Sequence, residues 1–296
     1  MSERHLVMRV ELQMTTHFWH FVMGELFPSL WHAITGGYKR LTIYHPTRKW
    51  GKCPLDRFYA DISSSTLQIG CTNTLETGVT LRRLEPCDRW DPWKPFLSKH
   101  SAHMNPNTRR KVRVVVKFLK ERCREYCDRN KIPIPIADCI VQRRLDNTDL
   151  REYYRSATGI CKKYGAERRN REPLMRRIEG FLTKRGLVLN RNAKDGTHFL
   201  VQMSAYIGSK SAILAHGAGM VWLLFVPEGS PIIEISPPGK RVDRNPNGVA
   251  KTMKGRMKRV YTKEGVCVMR AVRKTSVRLG IVPSPESTRL SMDVNS

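Results

Sequence analysis

Apolar positions fall in short blocks along this chain, and the densest block is residues 212–237 (AILAHGAGMVWLLFVPEGSPIIEISP). Ile213 and Leu214 predict a buried strand that ends at His216. Gly217, Ala218 and Gly219 then carry almost no side chain, so a ligand can approach the backbone there, just where an apolar helix is predicted over residues 220–226. Pro227, Gly229 and Pro231 stop that helix. Ile232, Ile233, Glu234 and Ile235 predict a second buried strand, with one carboxylate among hydrophobes.

Elsewhere the pattern predicts a strand over residues 6–14 and an aromatic-rich helix over residues 15–34, holding His20 and Glu25. Pro28 should kink or break that helix, because it offers no amide hydrogen to the preceding turn. Residues 40–44 read as a strand, and residues 58–69 as two further short strands around Ser63, Ser64 and Ser65. Residues 107–130 predict an N-capped amphipathic helix with a strongly basic charged face. Glu121, Glu125 and Asp128 recur there at helical spacing, which favours a solvated face. The KIPIP stretch at residues 131–135 cannot continue the helix and reads as a linker between a domain over 1–130 and another over 131–283, with 284–296 a disordered tail. In the second half, residues 137–142 and 187–189 predict strands, 172–185 a helix closed by Gly186, 197–209 another helix, and 237–259 a mobile Pro/Gly/Lys/Arg-rich loop. Strands alternating with helices predict an α/β fold built from parallel βα units.

Length and composition suit this reading: 296 residues with 40% hydrophobic content can bury one large core or two modest ones. Charge changes the picture more. A net +27 attracts nucleic acid, anionic membrane or phosphorylated ligands whatever the fold. The eight cysteines show no paired CxxC and no Cys/His array, so free thiols are expected. Cys123 and Cys127 would share a helix face as half of a metal site, with no second half in view. No stretch has the length and apolarity of a membrane span or signal peptide, which predicts a cytoplasmic protein. Trp90 and Trp93 in CDRWDPWKPF could stack on sugar faces or simply pin their loop to the core.

The succession His216, Gly217, Ala218, Gly219, then Leu224, Phe225, Pro227, Gly229, Ser230 and Glu234, resembles the signature of glycosyltransferase family 61, with Met220 where the family usually has leucine. Residues 15–28 are similar to the family's amino-terminal motif of a histidine, an acid four or five residues later and then a proline, matched here by His20, Glu25 and Pro28. Gly24 stands where many members carry the acid. Arg143 or Arg144, Arg168 or Arg169, and Asn170 resemble the family's strand-end arginine and its later Arg and Asn, and Gln202 its glutamine before the HGAG strand. The resemblance covers residues 15–28 and 137–237.

What the resemblance implies is two Rossmann-like domains facing a cleft, the GT-B arrangement. The implied activity is inverting, metal-independent transfer of xylose, another pentose or N-acetylglucosamine from a UDP-sugar to a hydroxyl of a glycan or glycoprotein. In that scheme Glu25 or His20 takes the proton of the acceptor hydroxyl. The HGAG turn and the helix amino terminus after it meet the donor diphosphate. Glu234 hydrogen-bonds the nucleotide ribose, and the arginines offset charge on the departing nucleotide. The chain has no DxD tripeptide, so neither metal nor other cofactor is expected. Family members in plants and animals usually carry a secretory anchor, and its absence here implies a cytosolic enzyme or one encoded by a virus or microbe. The expected partners are the UDP-sugar and the acceptor, without a membrane span or specific nucleic acid. Two other readings stay open. One is a basic nucleic-acid-binding α/β protein, suggested by the charge and by residues 107–130; the other is a degenerate transferase acting as a glycan-binding module, suggested by Gly24.

Overall fold

The computed structural model describes residues 4–9, 22–44, 56–75, 81–83, 106–142, 172–191, 198–215, 218–236, 253–261 and 268–283. The chain forms two compact units. One comprises Met1–Pro133, His198–Val201 and Arg244–Thr252; the other comprises Ile134–Thr197, Gln202–Asp243 and Met253–Ser296. Each contains one sheet of parallel strands with helices, so the class is α/β.

In the first unit, β1 (His5–Arg9), β2 (Arg40–Tyr44), β3 (Gln68–Thr72) and β4 (Leu81–Arg83) lie in the order β3-β2-β1-β4, every pair parallel. Among the described residues the helices are α1 (Phe27–Thr35), α2 (Asp56–Ile62) and α3 (Pro106–Arg129). The predicted helix does not run unbroken through Pro28. Val22–Leu26 is a π-helical turn and regular α geometry begins at Phe27, so Pro28 falls in the first turn of α1, where a missing amide costs no hydrogen bond. Residues 58–69 also differ from expectation, because a helix replaces the first of the two strands. Tyr59 and Ile62, three apart, both bury their side chains, as one helical face requires. Ser63 then clamps the reversal into β3: its hydroxyl donates to the Tyr59 carbonyl at 2.9 Å and accepts from the Ile69 amide at 2.7 Å. On α3 the residues Val112, Val115, Val116, Leu119, Cys123, Tyr126 and Cys127 are buried at spacings of three and four. The helix begins at Pro106, which puts Asn107 inside the first turn instead of capping it. Cys71 on β3 is disulfide-bonded, so the expectation of free thiols fails at that position, whereas Cys123, Cys127 and Cys139 are buried outside any disulfide.

In the second unit, β5 (Cys139–Gln142), β6 (Leu189–Arg191), β7 (Ala212–Ala215), β8 (Pro231–Ser236) and β9 (Arg256–Tyr261) lie in the order β6-β5-β7-β8-β9. Counted along the chain this is 2-1-3-4-5, a doubly wound order whose direction reverses between β5 and β7. Among the described residues the helices are α4 (Glu172–Thr183), α5 (Phe199–Ile207) and α6 (Val268–Arg278). On one face of the sheet, Cys139, Val141, Ile213, Ile233, Ile235 and Val260 pack with Met175, Ile178 and Leu182 of α4 and with Met269 and Val272 of α6. Burial on both faces explains the apolar run at 212–215 and the isoleucines of 231–236, where Glu234 and Ser236 are buried among them.

The predicted helix over 220–226 is a seven-residue 3₁₀ helix, Ala218–Leu224. Met220 to Val226 are all buried, and Trp222 stacks on Tyr206 of α5 at 5.4 Å. A run with no polar stripe has no solvent face to offer, so it fills space as a short plug. The expected loop over 237–259 gives way at its end to β9, where the exposed Arg256 and Lys258 alternate with the half-buried Met257 and Arg259 before Val260 is buried, at the edge of the sheet. The strand expected at 187–189 lies at Leu189–Arg191. Among the described residues no helix is long and apolar enough to cross a membrane.

Candidate functional site

Successive pairings set Gln142, Leu214, Glu234 and Arg259 abreast on β5, β7, β8 and β9. Side chains alternate along strands, so this row faces away from the cluster under α4 and α6. It also lies at the carboxyl ends of the strands, beside the β5/β7 reversal, which is where open parallel sheets bind ligands. Glu234 is 0% exposed, and its Oε2 accepts from Arg259 Nε at 2.6 Å. An acid in an apolar strand requires such a partner, since an unpaired buried charge costs several kcal/mol, or about 3–5 on breaking a pair.

Two features of the HGAG-type run have internal explanations. A Cβ added to Gly219 would lie 2.0 Å from Nε2 of the buried Gln142, so the close approach there is made by a side chain of the protein's own row. Gly229 of the Pro-x-Gly-Ser turn has φ +77°, a left-handed backbone that favours glycine, and its amide donates to the Met253 carbonyl at 3.0 Å. The 3₁₀ geometry of Ala218–Leu224 also gives a smaller aligned dipole than the predicted α-helix would supply.

In the first unit Glu25 occupies the π-helical turn, 2% exposed. Tyr59 lies close enough that the Glu25 charge adds to burial, the larger cause, in raising the tyrosine's pKa well above its ordinary value. π-helical turns inside α-helices occur often at functional sites.

Sequence reasoning missed Gln142, Arg259 and a cluster around His198. Gln142 ends the β5 run, and Arg259 lies in a stretch read as a loop, where it breaks the short alternation of Arg256, Met257 and Lys258, so no signal in the sequence marked it. His198 stacks on Tyr126 with ring centroids 4.5 Å apart, and its Nε2 lies 2.5 Å from Asp61 Oδ2. The Leu200 amide donates to His198 Nδ1 at 3.2 Å, so Nε2 carries the proton given to Asp61. With both ring nitrogens engaged, His198 acts as a clip for the start of α5.

His20, Arg143, Arg144, Arg168, Arg169, Asn170, His216 and Gly217 lie outside the described residues, as does the 87–96 loop, while Ala218 is placed by its backbone in the 3₁₀ helix. Among the described residues no group of three or more His, Cys, Asp or Glu could hold a metal. Cys123 donates through Sγ to the Leu200 carbonyl at 3.2 Å, and burial, then the Cys127 neighbour, push its pKa up. A thiol held protonated is a poor metal ligand, which weakens the half-site reading. No family model matches the chain, and no curated protein is significantly similar to it.

Proposed function

We propose that the chain is an inverting glycosyltransferase of the GT-B arrangement that moves a sugar from a UDP-sugar to a hydroxyl of a glycan or glycoprotein without a metal. The observation that carries this reading is the row Gln142, Leu214, Glu234 and Arg259, set at the carboxyl edge of a parallel sheet beside its topological reversal and next to the HGAG run. In this reading the donor nucleotide lies along that edge. Arg259, oriented through Nε by Glu234, supplies a guanidinium for diphosphate oxygens, and the backbone of Gly217 to Gly219 supplies amides. Arg143, Arg144, Arg168, Arg169 and Asn170 are the further donor-binding candidates. Glu25, set in a π-helical turn beside Tyr59, is the candidate base for the acceptor hydroxyl, with His20 as its alternative. On compartment, the Cys71 disulfide weighs toward an oxidising environment and against the cytosol expected from the sequence.

A thermal-shift series in EDTA tests the donor site. UDP at about one hundred times its Kd should stabilise the native protein by about 2.7 kcal/mol. GDP should do less, and Arg259→Met should abolish the UDP response. A folded protein whose melting point moves with no nucleotide would remove the proposal.

A further inference from the structure

All four residues of β5 are buried. Cys139, Ile140 and Val141 suit that burial; Gln142, 6% exposed, does not. The same sheet shows how the fold treats an amide that it keeps for itself. Asn190 on β6 sets its Nδ2 within 2.8–3.2 Å of the Pro135 carbonyl, the Ala205 carbonyl and Ser209 Oγ. Glu234, in the same row as Gln142, has Arg259. Among the described residues no donor or acceptor meets the side-chain amide of Gln142, whose nitrogen and oxygen are not fully enclosed. Leaving so buried an amide without a partner costs folding free energy, so a native example requires a reason.

Gly219 adds to that cost. A Cβ at this position would lie 2.0 Å from Gln142 Nε2 and 2.9 Å from its Cδ and Oε1, so the amide rests against the Gly219 backbone and needs a residue without a side chain there. Glycine inside a helical run is less favourable than alanine. Methionine, apolar and of similar length, would fill the place of Gln142 with no polar group unpaired. Folding therefore explains neither the amide nor the glycine that makes room for it. A ligand that supplies the missing hydrogen bonds explains both.

The position and chemistry of the amide define what that ligand presents. Gln142 stands at the carboxyl edge of the sheet beside the β5/β7 reversal, where Gly219 and Ala215, the residue after its partner Leu214, are only half-buried. A primary amide offers a donor and an acceptor side by side. A phosphate only accepts, so it would leave Oε1 unpartnered and face it with negative charge. Two neighbouring hydroxyls donate with one oxygen and accept with the other, which satisfies Oε1 and Nε2 together. In the proposed function Gly219 belongs to the backbone that meets the donor diphosphate. A nucleoside-diphosphate sugar carries a ring with vicinal hydroxyls on each side of its diphosphate, and the base lies one ring further away. We infer that Gln142 is a specificity-determining residue that holds a vicinal diol of the donor, supplied by the ribose or by the transferred sugar. The inference rests on the glycosyltransferase reading for the identity of the ligand, and it adds the group by which the site tells a sugar ring from its deoxy analogue.

The test compares the full wild-type chain with Gln142→Met in EDTA. Without ligand the variant should melt at or above the wild-type temperature, because it loses an unpaired amide and keeps the volume. A fall of more than about 4 °C, or a variant that does not fold, would mean that the fold itself uses the amide and would overturn the inference. Calorimetric Kd values for UDP, 2′-deoxy-UDP, UDP-xylose and UDP-N-acetylglucosamine give the second readout. With the ribose as the source, wild type should prefer UDP to 2′-deoxy-UDP by about tenfold or more, and the variant should lose that preference. With the transferred sugar as the source, the variant should weaken UDP-xylose or UDP-N-acetylglucosamine by about tenfold or more while binding UDP as wild type does. Either result supports the diol and says which ring carries it. An equal weakening of all four ligands would assign the amide to the base or the phosphates and overturn the inference, as would four unchanged affinities. Wild-type protein that binds none of the four sinks the transferase reading and the diol with it. UDP binding with the same ligand preferences in both proteins sinks the diol alone.

Discussion

Replacing Glu234 with alanine removes the carboxylate from an ion pair in which Glu234 is fully buried and Arg259 is 13% exposed, and so takes away the acceptor of the Arg259 Nε hydrogen bond. Breaking a buried pair from one side costs about 3–5 kcal/mol, most of it the desolvated charge left behind. At about 2–4 °C per kcal/mol for a domain of this size, the lower figure alone lowers the melting point by roughly 6–12 °C. Removing both charges with shape-matched apolar residues is a different perturbation. Glu234→Leu/Arg259→Met should restore stability to within about 1 kcal/mol of wild type or exceed it, because two desolvation penalties vanish with the attraction. Thermal melts of the wild type, both single variants and the double variant complete the cycle. A Glu234→Ala melting point within a degree of wild type would refute the reasoning, as would a double variant no more stable than the worse single one. The double variant should still fail to respond to UDP, which separates the row's contribution to folding from its contribution to binding.

Alkaline pH should destabilise both units. Burial, the larger cause, pushes Cys139 up to about 12, and Cys123 and Tyr59 are raised by burial as well. Raised pKa values leave stability intact below the unfolded value and remove it as pH climbs toward the folded one, so by pH 10 each buried cysteine should cost its unit about 2 kcal/mol relative to pH 8. A urea midpoint unchanged between pH 8 and pH 10 would contradict this. The disulfide at Cys71 occupies two of the eight cysteines. Protein exported to an oxidising compartment and alkylated in denaturant without reductant should therefore take at most six labels by mass, and eight would deny the bond.

Part of the strand framework was legible by two different signals: the strand read at Ile213 and Leu214 and the one read at 232–235 match β7 and β8, which are buried nearly throughout, while residues 40–44 match β2, whose Leu41 and Ile43 are its buried positions. Helix α3 was legible for the complementary reason, an apolar stripe at 3.6-residue period over 24 residues. Short segments were less so. Tyr59 and Ile62 fit one face of a helix, but a seven-residue helix offers too few turns for its period to stand out from a strand's. The run MVWLLFV is apolar all round, and apolarity without period cannot distinguish an α-helix from a buried 3₁₀ plug. Glu234 stood out in the sequence as an acid needing a reason, yet the reason, Arg259, is 25 residues away and becomes a neighbour only through the β8/β9 register. Gly219 and Gly229 were read as ligand-facing or family-specific, and the structure gives each an internal cause, Gln142 for one and backbone handedness for the other.

The most direct measurement is product formation. Wild-type protein in EDTA, given UDP-xylose or UDP-N-acetylglucosamine with neutral and acidic oligosaccharide acceptors, should release UDP. Proton NMR should show the new linkage with anomeric configuration opposite to the donor's. Glu25→Gln should reduce turnover by about a hundredfold or more, the range expected on losing a general base. Folded wild-type protein that releases no UDP from either donor, or a product that retains the donor configuration, would contradict the proposed reaction.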